Sequence, residues 1–522
     1  MTKSLYLVNP RADLPSYFGA DAFERWGYRP AVLIADLAIT TVAGMAPRDF
    51  EIELCDEHVG PIDFETSADY VGITGKVTQG GRMIEAAREF RRRGKTVLIG
   101  GPYASLSPEE MRPHCDILVQ GEMENIADSL FADLRAGTWK DCYEGDRPDL
   151  AEKSVMPRWD LYPNDRALIG CVQTSRGCPF ECEFCDVIQY LGRKQRHKAV
   201  AHILAELDQL HALGYRNVFL ADDNFTVYRH RAKEVLEALR AWNDARDEPI
   251  VFYTQVSIDA ARDDELLDMM ALAGLRWVFI GIESPNEESL KEIKKRQNTG
   301  IDILAQVNRF LEHGIAVSGG MIVGFDADGL DVFQRQYEFA MASPIPTFSL
   351  TSLVAPAATP LYDRMKKAGR LTEGGTEAAG TLWDTNIVPT QMTREQLFEG
   401  LRWLCNSLYQ PEAFAERMVR MIEMLGAPAG ERARPDTGSG QWKGREVSAE
   451  GITLLRKLIR TGSAERKMWS RIYDAMAKKP ESHPFVMTEL IRYAQVRTLY
   501  ESGRVWEPEI AASAAALAAA PA

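Results

Sequence analysis

Residues 175–185, S-R-G-C-P-F-E-C-E-F-C, constrain this chain more than any other stretch, because Cys178, Cys182 and Cys185 fall within eight positions. Gly177 and Pro179 stand beside them, and in a reducing compartment such clustering suggests metal, since buried unliganded cysteines hardly explain it. A disulfide joins only two cysteines and belongs to oxidising compartments. Nothing at the N-terminus suggests one, since MTKSLYLVNP reaches Asn9 and Pro10 before an export signal's apolar core could form. No run approaches the ~18 apolar residues of a membrane span, so a cytoplasmic protein with reduced thiols is expected. A structural zinc wants four closed ligands, and the nearest candidates for a fourth are Cys171 and His197. A [4Fe–4S] cluster takes four thiolates; with three, one iron keeps an open position for a small chelating ligand. The other five cysteines, at 55, 115, 142, 171 and 405, are scattered and read as small buried hydrophobes.

Around this loop the chain alternates strand and helix patterns. Over 1–145 the apolar runs SLYLVNP, FEIELCDE, ADYVGITG, KTVLIGGPYAS and CDILVQGE are interleaved with amphipathic segments such as GRMIEAAREFRRRGK. That pattern predicts a doubly wound, Rossmann-like α/β domain with a parallel sheet covered on both faces. Ligands on such sheets lie beyond the strands' carboxyl ends. Thr74-Gly75, Gly100-Gly101 and Gly121-Glu122 stand there. Residues 146–168 carry prolines and little periodicity and read as a linker.

From 169 to 370 the rhythm resumes with ALIGCVQTSRG, NVFLADDNF, IVFYTQVSID, WVFIGIES, AVSGGMIVGFD and TFSLTSLVAPA as strands. Six such repeats predict an open, partial (β/α)6 barrel whose chemistry gathers at the strand C-termini. Beyond 370 strands give way to amphipathic helices, so 371–522 reads as a helical domain. GAPAGERARPDTGSGQ (426–441) reads as a mobile loop and AASAAALAAAPA as a frayed or disordered tail. A net charge of −14 without a long basic tract argues against nucleic-acid binding. The short basic cluster Arg193–Lys198 reads as a solvated helix start.

Cys178-x-x-x-Cys182-x-x-Cys185, at the end of a first barrel strand with Phe184 before the last cysteine, resembles the radical S-adenosylmethionine (SAM) superfamily. The resemblance implies that the three thiolates hold a [4Fe–4S] cluster whose open iron chelates SAM. Reductive cleavage of SAM then gives a 5′-deoxyadenosyl radical. It further implies that Phe184 lies against the adenine and that Asp222 and Asp223 meet the methionyl amino group. Gln255 and Ser257 end the third strand, Glu283 at the fourth accepts from ribose hydroxyls, and Met321-Ile322 contact adenine through their backbone.

The preceding α/β domain resembles the cobalamin-binding domain of one subgroup, as do LGRKQR, FIGIESPNEESLKEIKKRQN and TPLYDRM. The helical tail is similar to an extension found in members that include the hopanoid methylases. Thr74, Gly100, Gly101, Gly121 and Glu122 are the cobalamin contacts so implied. The Asp-x-His-x-x-Gly signature is absent: Asp56-Glu57-His58-Val59-Gly60 is one residue short, so His58 reads as a surface histidine. Tyr103 stands where relatives frequently have histidine.

Three functions follow as expectations. The first is cobalamin-dependent methylation of an unactivated carbon, or a phosphorus centre, in a lipid or secondary metabolite, with flavodoxin or ferredoxin as electron donor. The second is radical chemistry without methyl transfer, such as 3-amino-3-carboxypropyl transfer or rearrangement, over a vestigial cobalamin domain. The third is a zinc-stapled binding protein.

Overall fold

The computed structural model describes residues 2–12, 14–372, 383–427 and 446–509. The loop expected over 426–441, from residue 428 onward, and the alanine-rich tail lie outside the described residues. Strand β1 (Lys3–Asn9) opens a first sheet; β2 (Val32–Ile34) bypasses it. That sheet is completed by β3 (Phe50–Asp56), β4 (Tyr70–Thr74), β5 (Thr96–Gly100), β6 (Ile117–Gly121) and β7 (Cys142–Gly145), in the order β3-β1-β4-β5-β6-β7. Every pair in it is parallel. Leu5–Asn9 are buried without a break, as expected of a sheet covered on both faces. The helix Gly80–Arg92 covers one face with Met83, Ala86, Ala87 and Phe90, a 3.6-residue stripe.

The second sheet begins with β8 (Ala167–Val172), which leads into a small antiparallel hairpin of β9 (Ser175–Arg176) and β10 (Arg196–His197). It continues through β11 (Asn217–Leu220), β12 (Val251–Gln255), β13 (Leu275–Glu283), β14 (Ala316–Val323) and β15 (Phe348–Ser352). Its order is β15-β14-β13-β12-β11-β8-β2, a parallel sheet curled into a half-barrel. All six strands expected here are present, and β2 extends them from the N-terminal part of the chain. Neither β2 nor β7 is legible in the sequence, because three- and four-residue edge strands carry too little alternation to register. Residues 146–168 are packed: Trp159 and Tyr162 are buried, and the Tyr162 hydroxyl donates to Asp56 Oδ2 at 2.6 Å.

The C-terminal region consists of helices Arg394–Leu408, Pro411–Met424, Glu446–Leu458, Ser463–Lys478 and His483–Ser502. The last has no single apolar stripe, which hides it from a periodicity search. It is instead buried nearly all round, between the N-terminal segment and the half-barrel. Among the described residues no helix is long and apolar enough to cross a membrane.

Candidate active site at the strand ends

The cysteine loop leaves the carboxyl end of β8 and is pinned at its root by a buried carboxylate. Asp222 Oδ1 accepts from the backbone N–H of Thr174 (2.7 Å) and Ser175 (2.9 Å), and Oδ2 accepts from both hydroxyls. Its four acceptor positions are thereby used. This departs from the expectation that Asp222 meets a ligand: it positions the loop. Asp223 accepts from the Gly177 N–H at 2.8 Å, and burial pushes its pKa up to about 7. The loop closes where the Cys178 N–H meets Gly192 O at 3.2 Å.

Cys182 is buried and Cys178 and Cys185 partly so; all are free thiols. Burial raises the pKa of Cys178 and pushes Cys185 up to about 12, and a charge on Cys182 would raise both. Among the described residues no three His, Cys, Asp or Glu groups converge on one point to hold a single ion. Cys171 is buried in the main core and His197 packs edge-on against Tyr228, so neither joins the three. Three thiols on one loop are the donor set that a four-iron cluster with one iron open would take.

Further carboxyl ends face the same loop. Glu283 sits at a bulge where β13 shifts register, with φ +63, and its Oε1 accepts from Lys295 Nζ at 2.7 Å. Burial lowers the Lys295 pKa, but Glu283 and the neighbouring Cys182 more than offset this and keep it protonated. Gln297 Nε2 lies 3.7 Å from Cys182 Sγ. Ile322 and Phe184 meet in one small apolar cluster, whereas the Met321 side chain turns into the main core, as strand alternation requires. Gln255 is half-buried at the end of β12, and the Ser257 N–H donates to Asn224 Oδ1 at 3.2 Å.

Glu183, between Cys182 and Phe184, is a latch that sequence reasoning missed. Its backbone joins Ile293 and Leu361, and its carboxylate pairs with Arg364 (3.0 Å) and Lys294 (2.9 Å).

At the first sheet, Thr74, Gly100 and Gly101 lie together at the ends of β4 and β5. Gly101 has φ +90, and a Cβ there would collide with Thr74 Oγ1. Gly101→Ala should cost about 1–3 kcal/mol in backbone strain, read as an earlier first transition in a thermal melt. Gly121 and Glu122 depart from the cobalamin expectation. A Cβ on Gly121 would strike Gly145 O, so close packing on β7 explains that glycine. Buried Glu122 pairs with Arg176 (2.6 Å) and Arg196 (2.5 Å), one on each strand of the hairpin that carries the cysteine loop. Arg196 and Lys198, buried in ion pairs with Glu122 and Glu206, are thus not the solvated helix start expected. His58 is not a plain surface residue: its Nδ1 lies 2.9 Å from Asp56 Oδ1, and although burial lowers its pKa, Asp56 raises it overall. Tyr103 is buried in the first sheet's own core.

Comparison with known proteins agrees with this arrangement. Residues 172–339 match the model of the radical SAM superfamily, and residues 359–502 match a domain of unknown function, DUF4070. The chain is 36% identical over 408 residues to Uncharacterized methyltransferase sll1242 of Synechocystis sp. (strain ATCC 27184 / PCC 6803 / Kazusa), covering 76% of this chain and 75% of that one. It is 28% identical over 437 residues to Hopanoid C-2 methylase of Rhodopseudomonas palustris (strain TIE-1), covering 82% and 80%. The cobalamin-dependent S-adenosylmethionine radical enzyme OxsB, solved with aqua-cobalamin and S-adenosylmethionine bound, shares the fold with a TM-score of 0.60. Its identity is 15%, and the match covers 100% of this chain and 82% of that one.

Proposed function

The chain belongs to the radical SAM superfamily and to its methyltransferases, and from that premise we propose a cobalamin-dependent methyltransferase acting on an unactivated carbon, or a phosphorus centre, of a lipid or secondary metabolite. The observation that carries this is the open set of three thiols, Cys178, Cys182 and Cys185, at the mouth of a half-barrel abutting a second sheet's strand ends. When bound, the cluster with SAM supplies a 5′-deoxyadenosyl radical and cobalamin a transferable methyl group. The chain's own residues hold and enclose these groups. Phe184 and Ile322 offer an apolar wall for adenine. Glu283, steadied by Lys295, offers a carboxylate for ribose hydroxyls. Gly100 and Gly101, beside Thr74, would leave bare backbone for the corrin. A flavodoxin or ferredoxin would supply the electron.

Anaerobically purified protein should show iron–sulfur absorption and bind hydroxocobalamin. With SAM and a reductant it should form 5′-deoxyadenosine, and methyl-deuterated SAM should label the product. Protein that retains no iron with its cysteines intact would overturn the proposal. Glu283→Gln should weaken SAM binding about tenfold to a hundredfold, the value of a charged hydrogen bond, at unchanged iron content.

One observation favours a second reading. Gly121 and Glu122 are occupied by contacts within the protein, which leaves a smaller corrin site than the family pattern implies. Protein that binds no corrin and releases a 3-amino-3-carboxypropyl product would support radical chemistry without methyl transfer.

A further inference from the structure

On β11, β12 and β13, Phe219, Tyr253 and Phe279 remain half-buried while their neighbours Leu220, Phe252 and Ile280 are 0% exposed. Alternation puts the two sets on opposite faces, so the half-buried aromatics line the concave side of the half-barrel. Phe219 packs on Tyr253 at 5.0 Å, and Phe18 meets Phe279 edge-on at 5.6 Å. Gly281, two residues beyond Phe279 on the same face, lies under the Glu283–Lys295 pair. The aromatic surface is thus continuous with the cysteine mouth.

Helix His483–Ser502 closes the other end. Its Arg492 is 5% exposed and stands over the rings of Phe18 and Trp277, at 5.7 and 6.0 Å. Among the described residues Arg492 donates through Nη1, to Ser318 Oγ and to Glu489 Oε1. Buried Nε has no partner among the described residues, and neither has the buried Ser349 hydroxyl on the adjoining strand. Such an Nε–Nη2 edge is the side-on face of a guanidinium, which matches the two oxygens of a carboxylate.

The carboxylate opposite Arg492 is shared: Glu489, fully buried, pairs with Arg492 Nη1 at 3.1 Å and also accepts from the Thr347 hydroxyl.

We propose that the concave face is the substrate chamber and that Arg492 at its floor anchors a carboxylate at one end of a flat, aromatic or polycyclic substrate. Ser318 precedes Ile322 by four residues, about 13 Å of strand, so a body of two or three fused rings reaches from the anchor to the mouth. Aromatic walls favour flat π faces, and the anchor decides which end of the substrate is presented for reaction. This rests on the proposed function only for the chemistry at the mouth.

The probes are 2-naphthoate and its neutral counterpart 2-naphthamide, titrated calorimetrically into the full-length protein. Naphthoate should bind at least about tenfold more tightly, the scale of a charge-assisted bidentate pair. Arg492→Lys keeps a cation opposite Glu489 but removes the side-on edge. It should abolish the preference while leaving naphthamide within about twofold. Equal binding of the two probes, or a preference that survives in a folded Arg492→Lys protein, would overturn the proposal. Should that variant melt early, Phe279→Trp decides: filling the chamber should remove both probes, and undiminished binding would refute it. 5′-Deoxyadenosine formation in the same preparations separates the two ideas. SAM cleavage without carboxylate preference defeats the anchor alone, whereas preference without SAM cleavage supports the anchor and defeats the radical function.

Discussion

Cys182→Ser is expected to leave a folded chain that holds no four-iron cluster and forms 5′-deoxyadenosine only at background. The loop around Cys182 is fastened by groups other than its thiol. Asp222 holds the root, and Glu183 ties the middle to Ile293, Leu361 and Arg364. Losing the sulfur therefore removes a ligand without freeing the backbone. Only Cys178 and Cys185 would remain, because Cys171 and Cys405 are buried in the main core and Cys55, Cys115 and Cys142 pack in the first sheet's core. Iron and sulfide analysis of anaerobically reconstituted protein checks this, with circular dichroism as the control for folding. Cys405→Ser should retain full iron. Near wild-type iron in Cys182→Ser would show that the three thiols are not the cluster's ligands.

The second large effect is expected from Glu122→Ala. The side chains of Glu122, Arg196 and Arg176 are 5%, 10% and 14% exposed, so this is a buried cluster. Removing its carboxylate strands two guanidinium groups between the first sheet and the cysteine hairpin. Breaking a buried pair this way costs about 3–5 kcal/mol, several times the worth of an exposed one. Arg176 keeps Glu124 at 2.6 Å, which places the loss toward the lower end of that range. The measurable results are an early unfolding transition and poor iron incorporation. The double change Glu122→Met, Arg196→Met should recover much of the stability, because Arg176 keeps Glu124 and no charge is left unpaired. A single-variant loss under about 1 kcal/mol would reduce the cluster to an ordinary surface bridge.

Much of the fold was legible because its signals are local. Six barrel strands, five strands of the first sheet and the thiol spacing are patterns of two to ten consecutive residues. Elements without such a pattern escaped. The strand β2 is three residues long, and helix His483–Ser502 is buried nearly all round and so presents no stripe. The candidate site divides along the same line. Phe184 and Ile322 pack against one small apolar cluster, and Glu283 pairs with Lys295. Asp222 and Glu122, chosen by the same rule, are consumed by the loop and by the hairpin arginines.

The sequence by itself determined that three thiols share one loop, that this loop ends a strand, and that parallel strands surround it. Spacing and periodicity are properties of neighbours along the chain. Tertiary structure alone decided which carboxylates are spent on the protein and which face a ligand, and which side chain closes the chamber. Glu122 meets Arg196 across 74 residues and Arg492 meets Ser318 across 174. A buried charge takes its role from whichever groups surround it, and those groups are brought together only when the sheets and the final helix pack.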